Sequence, residues 1–336
     1  MDNNEVSNLS KEEILNLKNE KLKLIKKSFS MLVIVSFCLV TSTYTFFSKK
    51  DESLDINVGV SNGIQISVDG ETWKTHINKN DILSSAYNGN TNQVPNEMNA
   101  VSSAGEVDVS TGFMKMFEGE ISSNASGNYI LTAEQSTETH GTTSGSFIAF
   151  DLFFQTNTPE SVYLTSNSSV LALNTSTGIE NSARVAFINH GTKDAGTDSA
   201  TVQALKGGTA PVIWEPNYDI HTAAAVKNAS DVYGITTTQT GGSKLAYNGV
   251  KADITSAADV ALDSDDATYF SAVNPQIATT ATGIPTTAYE KVFDLPAGIT
   301  KVRIYMWVEG QDVDCENNAS GGSLSYNLQF SVNDKA

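Results

Sequence analysis

The chain has 336 residues, 40% of them hydrophobic, and carries 38 Asp and Glu against 21 Lys and Arg, a formal net charge of −17. That length suits one large β domain or two small ones, and the acidity excludes nucleic acid and anionic lipid as partners of its bulk, since both need a basic surface. The same charge reads as solubility outside the cell, or as affinity for divalent cations or a cationic partner.

The charge is unevenly spread. Residues 1–50 hold eight Lys and five Asp or Glu, so the remainder is still more acidic than the whole. Ser10 and Glu13 have the spacing of a helix capping box. Good helix formers continue to Lys27, so residues 1–28 are expected to form a basic cytoplasmic helix. Residues 29–47 then run without a charge, about the length that crosses a hydrocarbon core of ~30 Å as a helix. Lys18, Lys21, Lys23, Lys26 and Lys27 precede the run, and only Lys49 and Lys50 follow closely. Lys favours the cytoplasmic side, so the N-terminus is expected inside and residues 48–336 outside. The segment reads equally as a permanent anchor or as a leader cut by a signal peptidase, with Thr43 and Thr45 at the two small positions before the cut.

The exported part opens with two alternating stretches. Leu54, Ile56, Val58 and Val60 alternate with polar residues, as do Ile64, Ile66 and Val68, and turn residues punctuate them at 61–63 and 69–70. Period-two alternation broken by Asn-Gly and Asp-Gly predicts half-buried strands joined by hairpins. Residues 75–112 are rich in Asn, Ser and Gly and read as loop with one short helix. The run SFIAFDLFF over 146–154 is nearly all apolar and predicts a central strand covered on both faces. Residues 162–164 and 184–188 follow the same pattern. Residues 189–290 are dominated by Gly, Thr, Ala and Ser; they read as a loop-rich insertion, and long connections are where binding residues concentrate.

Pattern returns at the end. Val302, Ile304, Met306 and Val308 alternate with Arg303, Tyr305, Trp307 and Glu309, and Leu324, Tyr326, Leu328, Phe330 and Val332 form a second alternation. The clearest strands thus lie at the two ends of the module. Terminal strands closing one sheet around a central excursion predict an all-β fold, a jelly-roll or Greek-key sandwich.

The charge-free run ending in YTFF at 44–47, the strand after it and GIQISVDG at 63–70 are similar to exported proteins of Gram-positive bacteria that carry a dedicated signal-peptidase class of leader. The family these residues resemble is the TasA/camelysin family of biofilm-matrix fibre proteins. The segments IWEPN at 213–217 and 302–315 look like those of large surface proteins of the same style. The resemblance implies a jelly-roll ectodomain that assembles into filaments with itself or with related surface proteins. Leu54, Ile56, Val58 and Val60 are then the candidate donor strand, able to leave their own sheet and complete a neighbour's through main-chain hydrogen bonds.

Chemistry is sparsely signalled. The sequence has no HExxH or CxxC motif, and the run from Gly141 to Gly145 lacks the GxSxG spacing of a nucleophile elbow, so no catalytic role is expected. Asp263, Asp265 and Asp266 offer closely spaced hard oxygens for calcium, without the glycine and distal glutamate of an EF-hand loop, and their plain reading is a solvated turn. Glu215, Asp219 and His221 fall within seven residues and invite a metal, against the plain reading of a structural corner beside a buried Trp214. Asp312, Asp314 and Glu316 flank Cys315. Tyr305 and Trp307 form either a sugar-stacking platform or the cover of a second sandwich face. A surface adhesin or carbohydrate-binding module using the loops of 189–290 is therefore the alternative to a fibre subunit. With only Cys38 and Cys315, on opposite sides of the expected membrane, no disulfide scaffold is expected.

Overall fold

The alternation at 302–309 becomes part of a twelve-residue strand, Gly298–Glu309, in the computed structural model of the chain. The structure describes Lys23 and residues 54–336 apart from 62, 139–142, 174–175, 256–259, 263 and 317–320. The basic arm, the charge-free run at 29–47, and Thr43 and Thr45 therefore lie outside the described residues. The chain divides into two units, Met1–Ser48 and Lys49–Ala336, and the second is described below. Among the described residues no helix is long and apolar enough to cross a membrane.

The second unit is all-β. Its described strands are, in chain order, β1 (Asp55–Val60), β2 (Gln65–Ser67), β3 (His76–Asn78), β4 (Ala100–Ser102), β5 (Val107–Asp108), β6 (Phe113–Met114), β7 (Met116–Ser123), β8 (Tyr129–Ser136), β9 (Ile148–Thr156), β10 (Glu160–Leu164), β11 (Ser169–Ala172), β12 (Ala183–Lys193), β13 (Val212–Glu215), β14 (Tyr247–Val250), β15 (Val260–Ala261), β16 (Phe270–Val273), β17 (Ile277–Ala278), β18 (Glu290–Leu295), β19 (Gly298–Glu309) and β20 (Leu324–Ser331). Short helices occupy Lys79–Ser84, Ser199–Gln203 and Ala223–Asp231. The first is the helix expected in 75–112, and Asn78 starts it with a capping box closed by Asp81.

One sheet runs β18-β10-β20-β1-β3, with β11 also on β20; the larger runs β15-β8-β7-β4-β19-β12-β13-β17, with β9 on β19 and β2 on β9. The two ends of the unit meet, because β1 lies parallel to β20 with Ile56 opposite Tyr326 and Val58 opposite Leu328. The sheets pack face to face through one core. Phe293 and Phe330 of the first sheet meet Phe154 and Phe187 of the second, with Phe154 5.3 Å from Phe293 and 5.4 Å from Phe330 in edge-to-face contact. Each such pair contributes about 0.5–1.5 kcal/mol beyond the burial itself. β9 is buried on both faces, as its apolar run predicts.

The larger sheet has a second covered face, which explains why all of β19 is buried. Phe147, Ala149, Ala186, Ile188, Tyr305 and Trp307 pack there under Met114, Tyr247 and Val273. Part of the cover comes from 189–290: β14 pairs antiparallel with β16, and Val250 and Phe270 pack on Phe117 and Leu131 of β7 and β8. Tyr305 and Trp307 are both 0% exposed, so the sugar-platform reading of this pair is corrected to the second-face cover.

The turn into β19 depends on Gly298. Its φ is +127°, and a Cβ there would sit 2.2 Å from the Lys193 carbonyl oxygen. Gly298→Ala is expected to cost about 2 kcal/mol in a urea melt. Gly283→Ala, at φ +82° with open space around it, carries only the backbone cost of about 1 kcal/mol.

Candidate functional site

The excursion and the turn after β19 enclose a cleft of about 110 Å³. One wall is the corner leaving β13. Glu215 ends that strand; Asn217 turns the chain at φ +57° and donates to the Val170 carbonyl at 3.0 Å. His221 follows, and Thr222 caps the helix Ala223–Asp231 by accepting from Ala225 N at 2.9 Å. The other wall is 311–313, held by backbone N–H groups that donate to side-chain carboxylates, Gln311 N to Glu309 Oε1 (3.1 Å) and Asp314 N to Asp312 Oδ1 (2.8 Å). Tyr218, Tyr233, Tyr247 and Asn248 complete the lining with Ile235 and Leu245.

Arg184 joins the two walls. It sits on β12 opposite Trp307 of β19, while its neighbour Val185 is opposite Trp214 of β13. Its guanidinium donates to Glu215 Oε1 at 2.8 Å and to Asp312, and lies 5.5 Å from the Tyr247 ring centroid. Burial works against its charge, but Glu215 and Asp312 outweigh it and hold the cation. Beside this triad, His221 Nδ1 is 2.7 Å from Asp314 Oδ2. Burial opposes the imidazolium, yet the Asp314 bond raises its affinity for a proton.

Burial also pushes Glu215 up to about 7, with Arg184 opposing and Asp312 adding to the rise. Burial drives Asp314 to about 7 against the His221 bond. It drives Glu309, hydrogen-bonded by Trp307 Nε1 at 2.9 Å, to about 7 as well. The corner therefore gathers more buried acid than its cations neutralise. Several of its buried polar atoms have no protein partner: Glu215 Oε2, Gln311 Oε1, His221 Nε2, Asp314 Oδ1 and Arg184 Nε. Thr237 Oγ1 and His221 Nε2 both approach Gly242, where a Cβ would lie 2.9 and 3.0 Å from them, but neither hydrogen-bonds the other. His221 is thus oriented as a base would be, without an activated hydroxyl beside it.

The structure brings together two segments that the sequence shows far apart, Glu215 with His221 and Asp312 with Asp314. It does so as ion pairs rather than as a metal centre. Among the described residues no group of three or more His, Cys, Asp or Glu side chains is arranged to hold a metal ion. Asp219 is instead used locally, accepting from Ala281 N at 2.8 Å. Of the calcium candidates, Asp263 lies outside the described residues, Asp265 is exposed, and Asp266 accepts from Thr268 N at 2.8 Å in a surface turn. Arg184 and Gln311 belong to no sequence motif. Arg184 carried a signal nonetheless, as a lone charge heading the otherwise apolar 184–188.

The candidate donor strand forms a separate feature. Ile56 and Val58 are 0% exposed, Leu54 and Val60 are half-buried against the same core, and β1 is paired on both sides, with β20 and β3. No protein family, curated relative or solved structure matches this chain.

Proposed function

We propose that the chain is a structural subunit of an extracellular fibre or surface layer, built on a jelly-roll variant of the β-sandwich and held at the membrane through residues 29–47 with its N-terminus in the cytoplasm. The observation that supports this reading is the position of β1. It is the first strand of the unit, yet it fills an interior slot between β20 and β3, with Ile56 and Val58 in the core. An identical strand from a neighbouring subunit presents the same main-chain groups and the same two core side chains to that slot. Each subunit then gives one strand and receives one, which generates an open filament.

Because β1 is interior, a chain lacking residues 51–60 is expected to be an open acceptor, not an intact sandwich. The synthetic peptide 51–60 is expected to bind it and raise its melting temperature. The Ile56→Asp peptide is expected to bind at least about a hundredfold more weakly, since burying an unpaired carboxylate costs several kcal/mol. Electron microscopy of residues 48–336 should show filaments. Monodisperse monomers at every concentration and pH tried would sink the proposal.

The cleft favours a second reading, a surface adhesin or carbohydrate-binding module. It opens between residues of 189–290 and the turn at 311–313, and polar groups without a protein partner converge on it.

A further inference from the structure

The cleft has a composition that restricts what fits it. Glu215 is 4% exposed and Gln311 5%, yet Glu215 Oε2 and Gln311 Oε1 have no protein donor. Both line the cleft. A carboxylate oxygen and an amide oxygen are acceptors only, so the missing partner is an N–H or O–H group. Charge narrows the choice. Glu215, Asp312, Asp314 and Glu309 surround the corner against Arg184, the proton shared by His221 and Asp314, and Lys244 at a distance, its ammonium 2.5 Å from the Pro275 carbonyl. A positively charged donor answers both needs at once. A bare metal ion does not, because three ligating side chains are not grouped among the described residues. The volume of about 110 Å³ admits a head group and little more. Tyr218 and Tyr233 supply aromatic wall, which favours cations.

We propose that this cleft binds the primary ammonium group of a small organic amine, with Glu215 Oε2 and Gln311 Oε1 as its acceptors and Tyr218 and Tyr233 beside it. The inference rests on the reading of the cleft as a ligand site and is independent of strand exchange. Burial holds Glu215 at about 7; a bound cation favours the ionised carboxylate and so expels a proton from the site near neutrality. Affinity is expected to fall by up to about tenfold per pH unit below 7 and to level off above it. Arg184, Asp312 and Tyr247 face the same corner; His221, Asp314 and Glu309 face it too and titrate with or against this change.

The test is calorimetric titration of the full-length chain with ethylammonium and glucosamine, beside ethanol and glucose as uncharged counterparts, at pH 6 and 8. Both ammonium probes are expected to bind at least about tenfold more tightly than their counterparts, since a charge-assisted hydrogen bond is at stake. Glu215→Gln is expected to remove about tenfold of that preference, and Gln311→Leu, on the opposite wall, to weaken both probes if the first variant fails to fold. Tighter glucosamine than ethylammonium binding identifies an amino sugar as the source of the ammonium; the reverse identifies a simple alkylamine. Equal binding of charged and uncharged probes overturns this inference while leaving a saccharide site standing. No binding by any probe overturns the ligand site itself.

Discussion

Replacing Arg303 by methionine is expected to destabilise the fold by about 3–5 kcal/mol. Arg303 is 1% exposed on the second face of the larger sheet. It lies directly opposite Asp151 in the β9–β19 ladder and donates to Asp151 Oδ1 at 2.8 Å, to Thr91 Oγ1 at 3.0 Å and to Glu138. Its guanidinium carbon is 4.6 Å from the Phe113 ring centroid. Tyr305 also donates to Glu138, and Tyr87 to Asp151, so the network is closed around the cation. Methionine fills a similar volume but leaves two carboxylates buried, with Lys301 at 3.0 Å from Asp151 as the remaining cation. That desolvated charge is the cost, more than the lost attraction.

The acid limb of the stability curve provides a second readout of the same network. Burial opposes ionisation of Asp151, but Arg303 and Lys301 outweigh it and hold the carboxyl at about 2. Its folded value is lowered, so its contribution is present above pH ~4 and is lost as pH falls towards 2. That amounts to about 2 kcal/mol. Urea midpoints taken from pH 2 to 6 should show this limb in the wild type and a flattened one in Arg303→Met. An unchanged midpoint at pH 6 would mean that the pair carries no net weight.

The opposite limb is expected to be just as large. Between pH 5 and pH 8 the fold should lose stability, with Glu309 alone responsible for about 3 kcal/mol. Glu309 is 0% exposed and its carboxyl is pushed to about 7 by burial, against the bonds that it accepts. A folded value above the ordinary one means that the contribution is full below pH ~4 and disappears as pH rises through 7. Glu215 and Asp314, also at about 7, act in the same direction. They share one corner with Glu309, so the three contributions are not additive. Glu309→Gln is expected to be less stable than wild type at pH 5, because its amide meets the donors Trp307 Nε1 and Gln311 N. It should lose much less on going to pH 8. Melting temperatures across this range decide the matter, and a wild type equally stable at pH 5 and 8 would refute the assignment.

The strands were legible where side chains alternate or run apolar over several residues. β1, β9, β19 and β20 announce themselves in this way because a buried face demands a fixed period. The meaning of the second face of β19 was not legible. Arg303, Trp307 and Glu309 look like a wet face beside a dry one, but Tyr247 of β14 and Val273 of β16 pack in one cluster with Trp307, while Phe113, Thr91 and Glu138 lie against Arg303. Those strands leave little trace in a period, since each has only four residues. Close backbone approach holds β14 in place instead. Ala104 N donates to the Val250 carbonyl at 3.0 Å, and a Cβ on Gly249 would meet the Ser103 carbonyl at 2.2 Å. Asp151 within an apolar run and Arg303 within an alternating one were each a buried charge awaiting its complement, but their pairing is a matter of register.

From its residues alone, then, the chain is determined to be β-rich, acidic beyond residue 50, and closed at its two ends by strong strands. Periodicity and composition are local properties that burial imposes on neighbouring positions. Tertiary structure alone decided that Glu215 and Gln311 share a cleft and that Arg184 bridges Glu215 to Asp312. β12 pairs with β13 on one side and β19 on the other, and the resulting proximity depends on which strands lie side by side, which no local pattern encodes.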